Sequence, residues 1–413
     1  MTAAPAFERL DLGAEPVERL LPRLLGTSWN DQLARYGSLP SLRGQADALR
    51  SLLSRSGLTG RGGAGFPTGA KLEAVARRGG AVVVANGVEG EPASAKDKML
   101  LARNPHLVLD GVLVAMEAVG AKEGFVTLAA DDERSFVRLE SALAERRRET
   151  PSILLARLPT GFVSGEESAL VSWLNGSEAK PAFKPPRPFE RGMNGRPTLV
   201  QNVETLANLA LLARYGAEWF REVGTPDEPG SVLATVRGAV RRPAVVEVEL
   251  GTPLDAVIDL CGGLSGPAQA VLVGGYFGTW IRARDLDVPL SQAGLAHVGG
   301  SLGARTIVVL PEGACGLAET TRIIRYLAGE SAGQCGPCFF GLPALADAFE
   351  RLARGGVEMQ PALARIGQLE RQLARRGACS HPDGTLRLAA SALAVFADEV
   401  ERHRVGACSG SAR

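Results

Sequence analysis

The chain has 413 residues, of which 45% are hydrophobic and 22% are charged, and its formal net charge is +1. This length exceeds what one hydrophobic core usually serves, so the sequence predicts two or three globular domains. The near-zero charge leaves no electrostatic footprint for nucleic acid or anionic lipid and excludes both as partners.

The positions of charged residues along the chain predict its cellular location, and the location predicts the role of its cysteines. The first residues, "MTAAPAFERLDLGAEP", carry charges where a signal peptide needs an apolar core, and Asp110 interrupts one of the longest apolar stretches. We therefore expect a soluble, cytoplasmic protein without a transmembrane segment of its own. Six cysteines in such a chain indicate metal or redox use instead of a disulfide framework. Cys261 and Cys408 fall in no motif, and we expect them in the core and in a frayed tail, respectively.

The first half of the chain alternates between strand and helix patterns. Strands are predicted at 81–86, 123–130 and 152–159, with helices at 107–120 and 135–149. This alternation is typical of a parallel α/β domain. A segment rich in proline, glycine and acidic residues at 223–231 predicts a boundary, so that the first domain covers 1–222.

The remaining residues divide into a β-rich part and a helical part. Short strands are predicted at 232–240, 244–251 and 270–275, with a helix at 253–263, which together indicate a small α+β module over 223–311. Apolar residues then recur at three- and four-residue steps in the segments 315–330, 342–355, 362–376 and 385–404. This periodicity predicts a helical domain over 312–413.

A glycine-dense loop, "GLTGRGGAGFPTGAK", occupies residues 57–71. Gly60, Gly62 and Gly65 match a dinucleotide fingerprint in spacing, but no clear strand precedes them. Such a backbone approaches a phosphate or a flat ring closely with its N–H groups directed at the ligand, and Lys71 adds a positive charge. The alternative is a flexible surface loop.

Polar clusters follow the predicted strand at 81–86 and precede two predicted helices. Their members are Asn86, Glu89 and Glu91, then Glu166 and Glu167, then Gln201, Asn202, Glu204 and Thr205. Capping and turn formation explain any one cluster. Three clusters in one α/β domain favour a ligand site at the carboxyl ends of the strands.

Cysteines at iron–sulfur spacing occur in "ESAGQCGPC", residues 330–338. Cys335 and Cys338 are separated by two residues, and Ala332 stands where a third cysteine would complete the pattern. Cys379 follows Cys338 after 41 positions.

Together these stretches resemble the NADH- and FMN-binding flavoprotein subunit of respiratory complex I and its counterparts in NAD-linked hydrogenases and formate dehydrogenases. The matching motifs occur in the family's order at 60–69, 86–92, 165–170, 184–186, 197–205 and 330–338. The resemblance implies an FMN-binding α/β domain, a small β-grasp-like α+β module and a C-terminal helical iron–sulfur bundle.

The resemblance also implies which residues hold each cofactor. Those expected at the FMN phosphate and ribityl groups are Gly60, Arg61, Gly62, Gly63, Gly65 and Lys71, and those lining the same pocket are Asn86, Glu89, Glu167, Asn202 and Thr205. Residues expected to face the nicotinamide nucleotide are Phe66, Glu91, Glu166 and Lys184, with Glu91 and Glu166 as the catalytic pair. The implied cluster ligands are Cys335, Cys338 and Cys379.

The implied activity is that of an NADH dehydrogenase-type oxidoreductase. A hydride passes from NADH to FMN, and single electrons then pass through the cluster to a protein partner that is ferredoxin-like or membrane-associated. Through such a partner the cytoplasmic chain is expected to lie at the inner face of a membrane.

Departures from the family pattern leave two other functions open. Val88 replaces an aspartate, Phe162 a tyrosine and Arg187 a phenylalanine, while Leu72, Glu73 and Ala74 stand where the family has a second aromatic residue. Two lost stacking contacts weaken NADH binding by roughly tenfold to a hundredfold. The chain is then a ferredoxin-linked electron-transfer flavoprotein that no longer binds NADH, or a non-catalytic assembly subunit.

The incomplete cysteine set leaves the cluster type open as well. Three thiolates hold a [3Fe–4S] cluster, or a [4Fe–4S] cluster whose fourth iron binds water, His381, Cys315 or an external ligand. The alternative is a decayed site whose cysteines are buried as small apolar residues.

Overall fold

The structure is a computed structural model that describes residues 17–23, 26–150 and 152–411. Its first part contains a four-stranded sheet in the order β3-β2-β1-β4, in which every neighbouring pair is parallel. The strands are β1 (Val82–Asn86), β2 (Gly124–Ala129), β3 (Ile153–Leu158) and β4 (Thr198–Asn202). The first three confirm the predicted strands. The fourth was missed because its polar end was interpreted only as the start of a helix.

Eight helices accompany this sheet within the described residues. They are α1 (Trp29–Tyr36), α2 (Ala46–Ser56), α3 (Thr68–Ala76), α4 (Lys96–Arg103), α5 (Pro105–Val119), α6 (Glu133–Glu145), α7 (Glu167–Leu174) and α8 (Val203–Arg221). Helices α5 and α8 pack so closely that a Cβ atom on Gly111 would lie 1.9 Å from the carbonyl oxygen of Leu206. A side chain at this position would force the two helices apart.

Asp110, which interrupts the apolar pattern of α5, is a fully buried ionic junction. Its carboxylate forms ion pairs with Arg146 and Arg214 at 2.6 Å each, and Arg214 also donates a hydrogen bond to it. Gln32 donates a further bond at 3.3 Å. The charge is thus paired inside the core, which a buried carboxylate requires, and it links α1, the end of α6 and α8 to α5.

The second part is a mixed five-stranded sheet with its own apolar core. Its elements are β5 (Ser231–Gly238), β6 (Ala244–Glu249), α9 (Leu254–Leu260), β7 (Ala268–Val273), β8 (Thr279–Arg282), α10 (Gln292–Ala296) and β9 (Thr306–Pro311). The strand order is β6-β5-β9-β7-β8, with β5 and β9 parallel and the other pairs antiparallel. The strands and the helix predicted for this region are confirmed.

The last part is helical, as predicted. Its helices are α11 (Gly316–Gly329), α12 (Leu342–Arg354), α13 (Met359–Leu373), α14 (His381–Val395) and α15 (Ala397–Arg404). The segment predicted to be helical over 385–404 is divided between α14 and α15. The chain breaks at Phe396 (φ −101°, ψ 30°), whose buried ring packs edge-on against Trp280 at 5.2 Å between centroids.

The chain is therefore a mixed α/β protein with a parallel sheet and many helices. Within the described ranges no single helix has the length and apolar composition needed to cross a bilayer. Helices α4 and α5 meet that test only as a pair, across a bend of 97°.

Candidate cofactor and cluster sites

The parallel sheet has one topological switch point, between β1 and β4. The chain progresses from β1 to β2 and β3 on one side and places β4 on the other. Ligands of open α/β sheets bind at the carboxyl ends of the strands at such a point. Asn86 and Asn202 are the last residues of the two strands and lie opposite each other in register. Two predicted FMN-pocket residues thus meet at the position that the topology favours.

The glycine loop closes on itself and packs against this edge of the sheet. Gly60 N donates to the Phe66 carbonyl at 2.8 Å. Arg61 N donates to Thr205 Oγ1 at 2.8 Å. A Cβ atom on Gly62 would lie 3.1 Å from the Cβ atom of Asn202. Helix α2 precedes the loop, and the loop itself contains only an isolated bridge between Thr59 and Pro67, so it does not form the strand–turn–helix unit of a dinucleotide fingerprint.

A buried arginine from the second sheet fixes the loop from the other side. Arg305 donates to the carbonyl oxygens of Arg61 at 2.5 Å and Gly60 at 3.3 Å. The Arg61 guanidinium is also buried and donates to the Pro229 carbonyl at 3.2 Å. Burial, together with the charge of the neighbouring Arg305, lowers the pKa of Arg61 to about 9. The side chain of Arg61 therefore supports the loop from within the protein, and only its backbone lies in the loop itself.

The outer side of the loop fits a phosphate group. Among the described residues, no protein acceptor is found for the backbone N–H groups of residues 62–64. Gly63 (φ 108°) and Gly65 (φ 62°) adopt the left-handed conformations that only glycine tolerates readily. Successive free N–H groups in such a turn form an anion-binding concavity. The residues present thus match the phosphate of a flavin mononucleotide.

Two lysines and two glutamates form a charge cluster beside the loop. Lys71 Nζ lies 3.1 Å from Glu167 Oε2, and Lys184 Nζ lies 2.7 Å from Glu166 Oε1 and 3.4 Å from Glu167 Oε1. Glu166 also caps α7, which confirms the predicted helix start. Burial raises the pKa of Glu167, but the two ammonium groups outweigh it and keep the carboxyl pKa below its usual range. An anion that reaches Lys71 therefore competes with an ionised Glu167.

Other predicted pocket residues have protein partners near the switch point. Asn86 Nδ2 donates to the Gly165 carbonyl at 2.8 Å. The Glu89 carboxylate accepts from the backbone of Asp97 and Lys98 at 3.2 Å each and so caps α4. Thr205 is fully buried beneath the glycine loop. These three residues shape the site through the backbone segments that they hold.

Phe66 and Glu91 are also predicted to face the nicotinamide nucleotide, but they lie outside the charge cluster and differ in burial. Phe66 is 54% exposed at the tip of the glycine loop. Glu91 accepts from the backbone N–H groups of Tyr276 at 2.7 Å and Ala93 at 3.1 Å, so it joins the first sheet's edge to the turn between β7 and β8. Burial raises the pKa of Glu91 to about 7.

A buried ionic group below the site was not predicted. Lys96 Nζ contacts Asp97 Oδ1 at 2.7 Å and Glu204 Oε2 at 2.8 Å, and Asp97 Oδ2 accepts from Asn202 Nδ2 at 2.8 Å. Burial raises the pKa of Glu204, but the ammonium of Lys96 and the guanidinium of Arg305 lower it by more. No local motif indicates this group, because Lys96 and Glu204 are 108 positions apart.

The predicted cluster cysteines lie together in the helical part. Cys335 and Cys338 are buried and pack with Leu342 and Ala378. Cys338 lies within a one-turn π-helix, Pro337–Gly341, a geometry that is frequent at functional sites. Burial, together with the adjacent Cys335 and Cys379 thiols, raises the pKa of the Cys338 thiol to about 12. Three neighbouring thiols fit a cluster, since each iron takes a cysteine sulfur.

The cysteine group adjoins the charge cluster. Glu166 and Lys184 both influence the pKa of Cys379, which burial raises. Phe162 N donates to Glu330 Oε2 at 2.9 Å, and the Phe162 ring contacts His381 at 5.5 Å between centroids. The predicted flavin and cluster sites therefore meet at one interface between the α/β part and the helices.

The structure separates the two protein candidates for a fourth cluster ligand. His381 Nε2 donates to the Leu327 carbonyl at 2.8 Å, while its buried Nδ1 has no partner among the described residues. Cys315 lies at the start of α11, whereas the cysteine loop (residues 330–338, with Cys335 and Cys338) follows the end of this helix. The 14 residues of α11 therefore separate Cys315 from the cysteine loop by about 20 Å. Cys315 as a fourth ligand is therefore wrong, and His381 stays a prediction.

Comparisons with known proteins agree with this arrangement. Residues 53–211 match the family described as the Nuo51 FMN-binding domain, residues 318–403 the NADH-ubiquinone oxidoreductase-F iron-sulfur binding region, and residues 233–275 the SLBB domain. An NADH-quinone oxidoreductase subunit of Rhizobium meliloti is 32% identical over 86% of this chain and 89% of its own length. Its counterpart in Streptomyces coelicolor is 30% identical over 95% of this chain and 93% of its own. The chain belongs to the Nuo51 family of NADH-quinone oxidoreductase subunits.

A solved structure shows the same fold. The NAD+-reducing [NiFe]-hydrogenase in its H2-reduced state superposes on this Nuo51 family member with a TM-score of 0.80 at 29% sequence identity, covering 88% of this chain. The match spans 63% of the hydrogenase chain. The resemblance stated from the motifs is thereby confirmed, and the matched families bind the FMN and iron–sulfur groups that the sequence predicted.

Proposed function

We propose that this chain is an NADH-oxidising flavoprotein subunit that delivers single electrons through an iron–sulfur cluster to a protein partner. FMN, when bound, accepts a hydride and releases its two electrons one at a time. The observation that carries the proposal is the run of backbone N–H groups at 62–64 without a protein partner, which lies at the sheet's switch point and beside a lysine. These donors lie at or near the surface, where a bound anion replaces the water that otherwise satisfies them.

The proposal assigns roles to the residues around this point. The backbone of 60–65 and Lys71 hold the flavin phosphate, with Asn86, Glu89, Glu167, Asn202 and Thr205 shaping the pocket. Phe66, Glu91, Glu166 and Lys184 face the nicotinamide nucleotide, where the two carboxylates orient it and the aromatic ring covers it. Cys335, Cys338 and Cys379 bind the cluster.

The proposed domain division follows from these roles. Residues 1–222 bind FMN and the nucleotide, residues 223–311 form the β-grasp-like module, and residues 312–413 form the helical iron–sulfur bundle. Arg305 and Glu91 support this division, because each links the second unit to the edge of the flavin site. The partner is a ferredoxin-like or membrane-associated redox protein, through which the chain lies at the inner face of a membrane.

An anaerobic titration tests the proposal. The purified full-length chain should contain FMN in near-stoichiometric amount, and NADH should bleach its flavin absorbance. Lys184→Ala should raise the NADH concentration needed for half-reduction by about tenfold, because a charge-assisted hydrogen bond is lost. Lys180→Ala is the matched control, since Lys180 pairs with Glu178 at an exposed position.

A specific difference from the family supports a second candidate function. Arg187 and Ala74 stand where family members carry stacking aromatic residues. If a reduced ferredoxin bleaches the flavin and NADH does not, the chain is a ferredoxin-linked electron carrier and the first function is wrong. A chain without flavin would leave only an assembly role.

A further inference from the structure

The helical part contains a second group of cysteine and histidine side chains, remote from the predicted iron–sulfur ligands. Its members are Cys315, Glu399, His403 and Cys408, and their four donor atoms all lie within 4.8 Å of one another. We call this set the C-terminal metal cluster. The described residues contain no other such set of three or more ligand side chains within that distance.

Three separate elements supply the four side chains. Cys315 is the N-cap residue of α11. Glu399 and His403 lie one turn apart on α15, which directs both side chains to the same face. Cys408 follows α15, in the segment expected to be a frayed tail. It instead packs against the core of the helical part, so that expectation is wrong.

The donor atoms converge in a buried position. Cys315 Sγ lies 3.4 Å from His403 Nε2, which lies 3.1 Å from Glu399 Oε1. The exposed fractions are 8% for Cys315, 2% for Glu399 and 4% for His403. The exposed Arg402 pairs with the Glu399 carboxylate at 3.4 Å. A bound cation would add a second positive partner for this buried carboxylate and would use all four groups.

A second layer of hydrogen bonds holds the donors in place. Ser409 donates to Glu399 through both its backbone N–H, at 2.8 Å, and its hydroxyl group. Backbone N–H groups point at both sulfurs, from Ala318 to Cys315 at 3.3 Å and from Gly410 to Cys408 at 3.4 Å. Such outer contacts orient metal ligands and stabilise thiolates.

The chemistry of the donor set selects the ion. Two sulfurs, one imidazole nitrogen and one carboxylate oxygen suit zinc, which takes four such ligands in a tetrahedron. Because all four positions come from the protein, none is left for water or substrate, as in a structural site. We propose that the C-terminal metal cluster binds one Zn²⁺ ion, which fastens α15 and the following residues to the start of α11.

This site is independent of the iron–sulfur cluster and of the proposed function. Helix α11 separates Cys315 from the cysteine loop by about 20 Å, so neither site can share a ligand with the other. Loss of zinc should therefore leave FMN and iron in place. We expect loss of zinc to weaken the attachment of α15 to the start of α11, because metal binding contributes directly to folding.

Metal analysis of the full-length chain tests the proposal. The protein is produced with zinc supplied and purified without chelator, and zinc, iron and FMN are measured on the same sample. We expect about one zinc per chain, as for a closed four-ligand site. Cys408→Ser and His403→Gln should each reduce zinc by at least about tenfold, the loss typical when a ligand shell is broken. Cys261→Ser is the matched control, because Cys261 is a buried cysteine in the core of the second sheet.

Cobalt substitution of the wild-type chain provides a spectroscopic readout of thiolate ligation that needs no variant to fold. Co²⁺ in the wild-type chain should give thiolate-to-cobalt absorption bands that are absent from Cys408→Ser. Three results would overturn the proposal: a chain without zinc under these conditions, zinc that persists in both variants, or a Cys315–Cys408 disulfide found by mass spectrometry of the alkylated protein. The FMN measurement separates these results from failure of the proposed function.

Discussion

Lys71 shows how one residue serves both the fold and a ligand. The glycine loop predicted that its ammonium meets an anion, and in the structure it pairs with Glu167 at 3.1 Å. Since Lys184 also reaches Glu167, the carboxylate keeps one cationic partner if Lys71 turns to a phosphate. This exchange of partners avoids leaving an unpaired charge in a half-buried position.

Lys71→Ala should weaken FMN binding by about tenfold to a hundredfold, because a hydrogen bond between charged groups contributes roughly 1.5–3 kcal/mol. Equilibrium titration of the flavin-free chain measures this change. Riboflavin, which has no phosphate, should bind the variant and the wild type equally well. Arg77→Ala, at the end of the same helix, is the control. An equal loss for FMN and riboflavin would contradict the placement of the phosphate at Lys71.

For single residues, the sequence predicted the position of the backbone better than the contacts of the side chain. Glu166 was expected both at a helix start and at the nucleotide, and the structure confirms the helix start. Arg61 was expected at the cofactor, yet its guanidinium contacts Pro229 inside the protein. A motif specifies where the backbone runs, but the direction of a long side chain depends on neighbours that are remote in sequence.

At the scale of elements, the loop after α11 and its π-helix determine what kind of cluster the chain can hold. Cys335 and Cys338 are fixed by the short helical turn that contains Cys338, while Ala332 lies in the irregular segment before it. The loop therefore holds two of the motif's three cysteines and has no sulfur at position 332. The helix break at Phe396 was not predicted, because the apolar periodicity continues across it and only packing against Trp280 reveals it.

Ala332→Cys should restore a fourth thiolate and raise the iron content after anaerobic reconstitution from about three to about four per chain. Iron and sulfide analysis with electron paramagnetic resonance measures the change in cluster type. Ala332→Val adds similar bulk without a thiol and should leave the iron content unchanged. If Ala332→Cys also leaves it unchanged, the fourth position is occupied by another ligand, and His381 becomes the residue to replace next.

At the scale of the whole molecule, buried carboxyl groups join segments that are distant in sequence. Glu247 on β6 accepts from the backbone of Leu20 at 2.7 Å and Leu21 at 3.2 Å, and Glu91 connects the first sheet's edge to Tyr276. Burial raises the pKa of each of these carboxyl groups to about 7. Both groups are therefore harder to ionise in the folded chain than in the unfolded chain.

The contribution of these two carboxyl groups to stability should therefore fall as the pH rises from about 4.5 to about 7. In this window each group binds more protons in the folded chain than in the unfolded chain, so its contribution to the free energy of unfolding decreases with pH and levels off above it. Each shift of this size corresponds to roughly 3–4 kcal/mol. Thermal midpoints between pH 5 and pH 8 measure the effect. Glu247→Gln should make the thermal midpoint depend less on pH. Glu401→Gln, at an exposed position, is the control and should leave the pH dependence unchanged. If the wild type and both variants show the same pH dependence, Glu247 does not contribute to it.

The sequence by itself determined the family, the cofactor classes and most of the secondary structure of this protein. The glycine loop, the acidic clusters and the cysteine spacing are local patterns whose chemistry depends on the backbone, and backbone geometry follows from nearby residues. The tertiary structure alone decided which remote groups converge: Arg305 on the glycine loop, Lys96 with Glu204, and Cys315 with Cys408 across 93 positions of chain. Such contacts depend on how whole helices and sheets pack, and no local pattern of residue types records that packing.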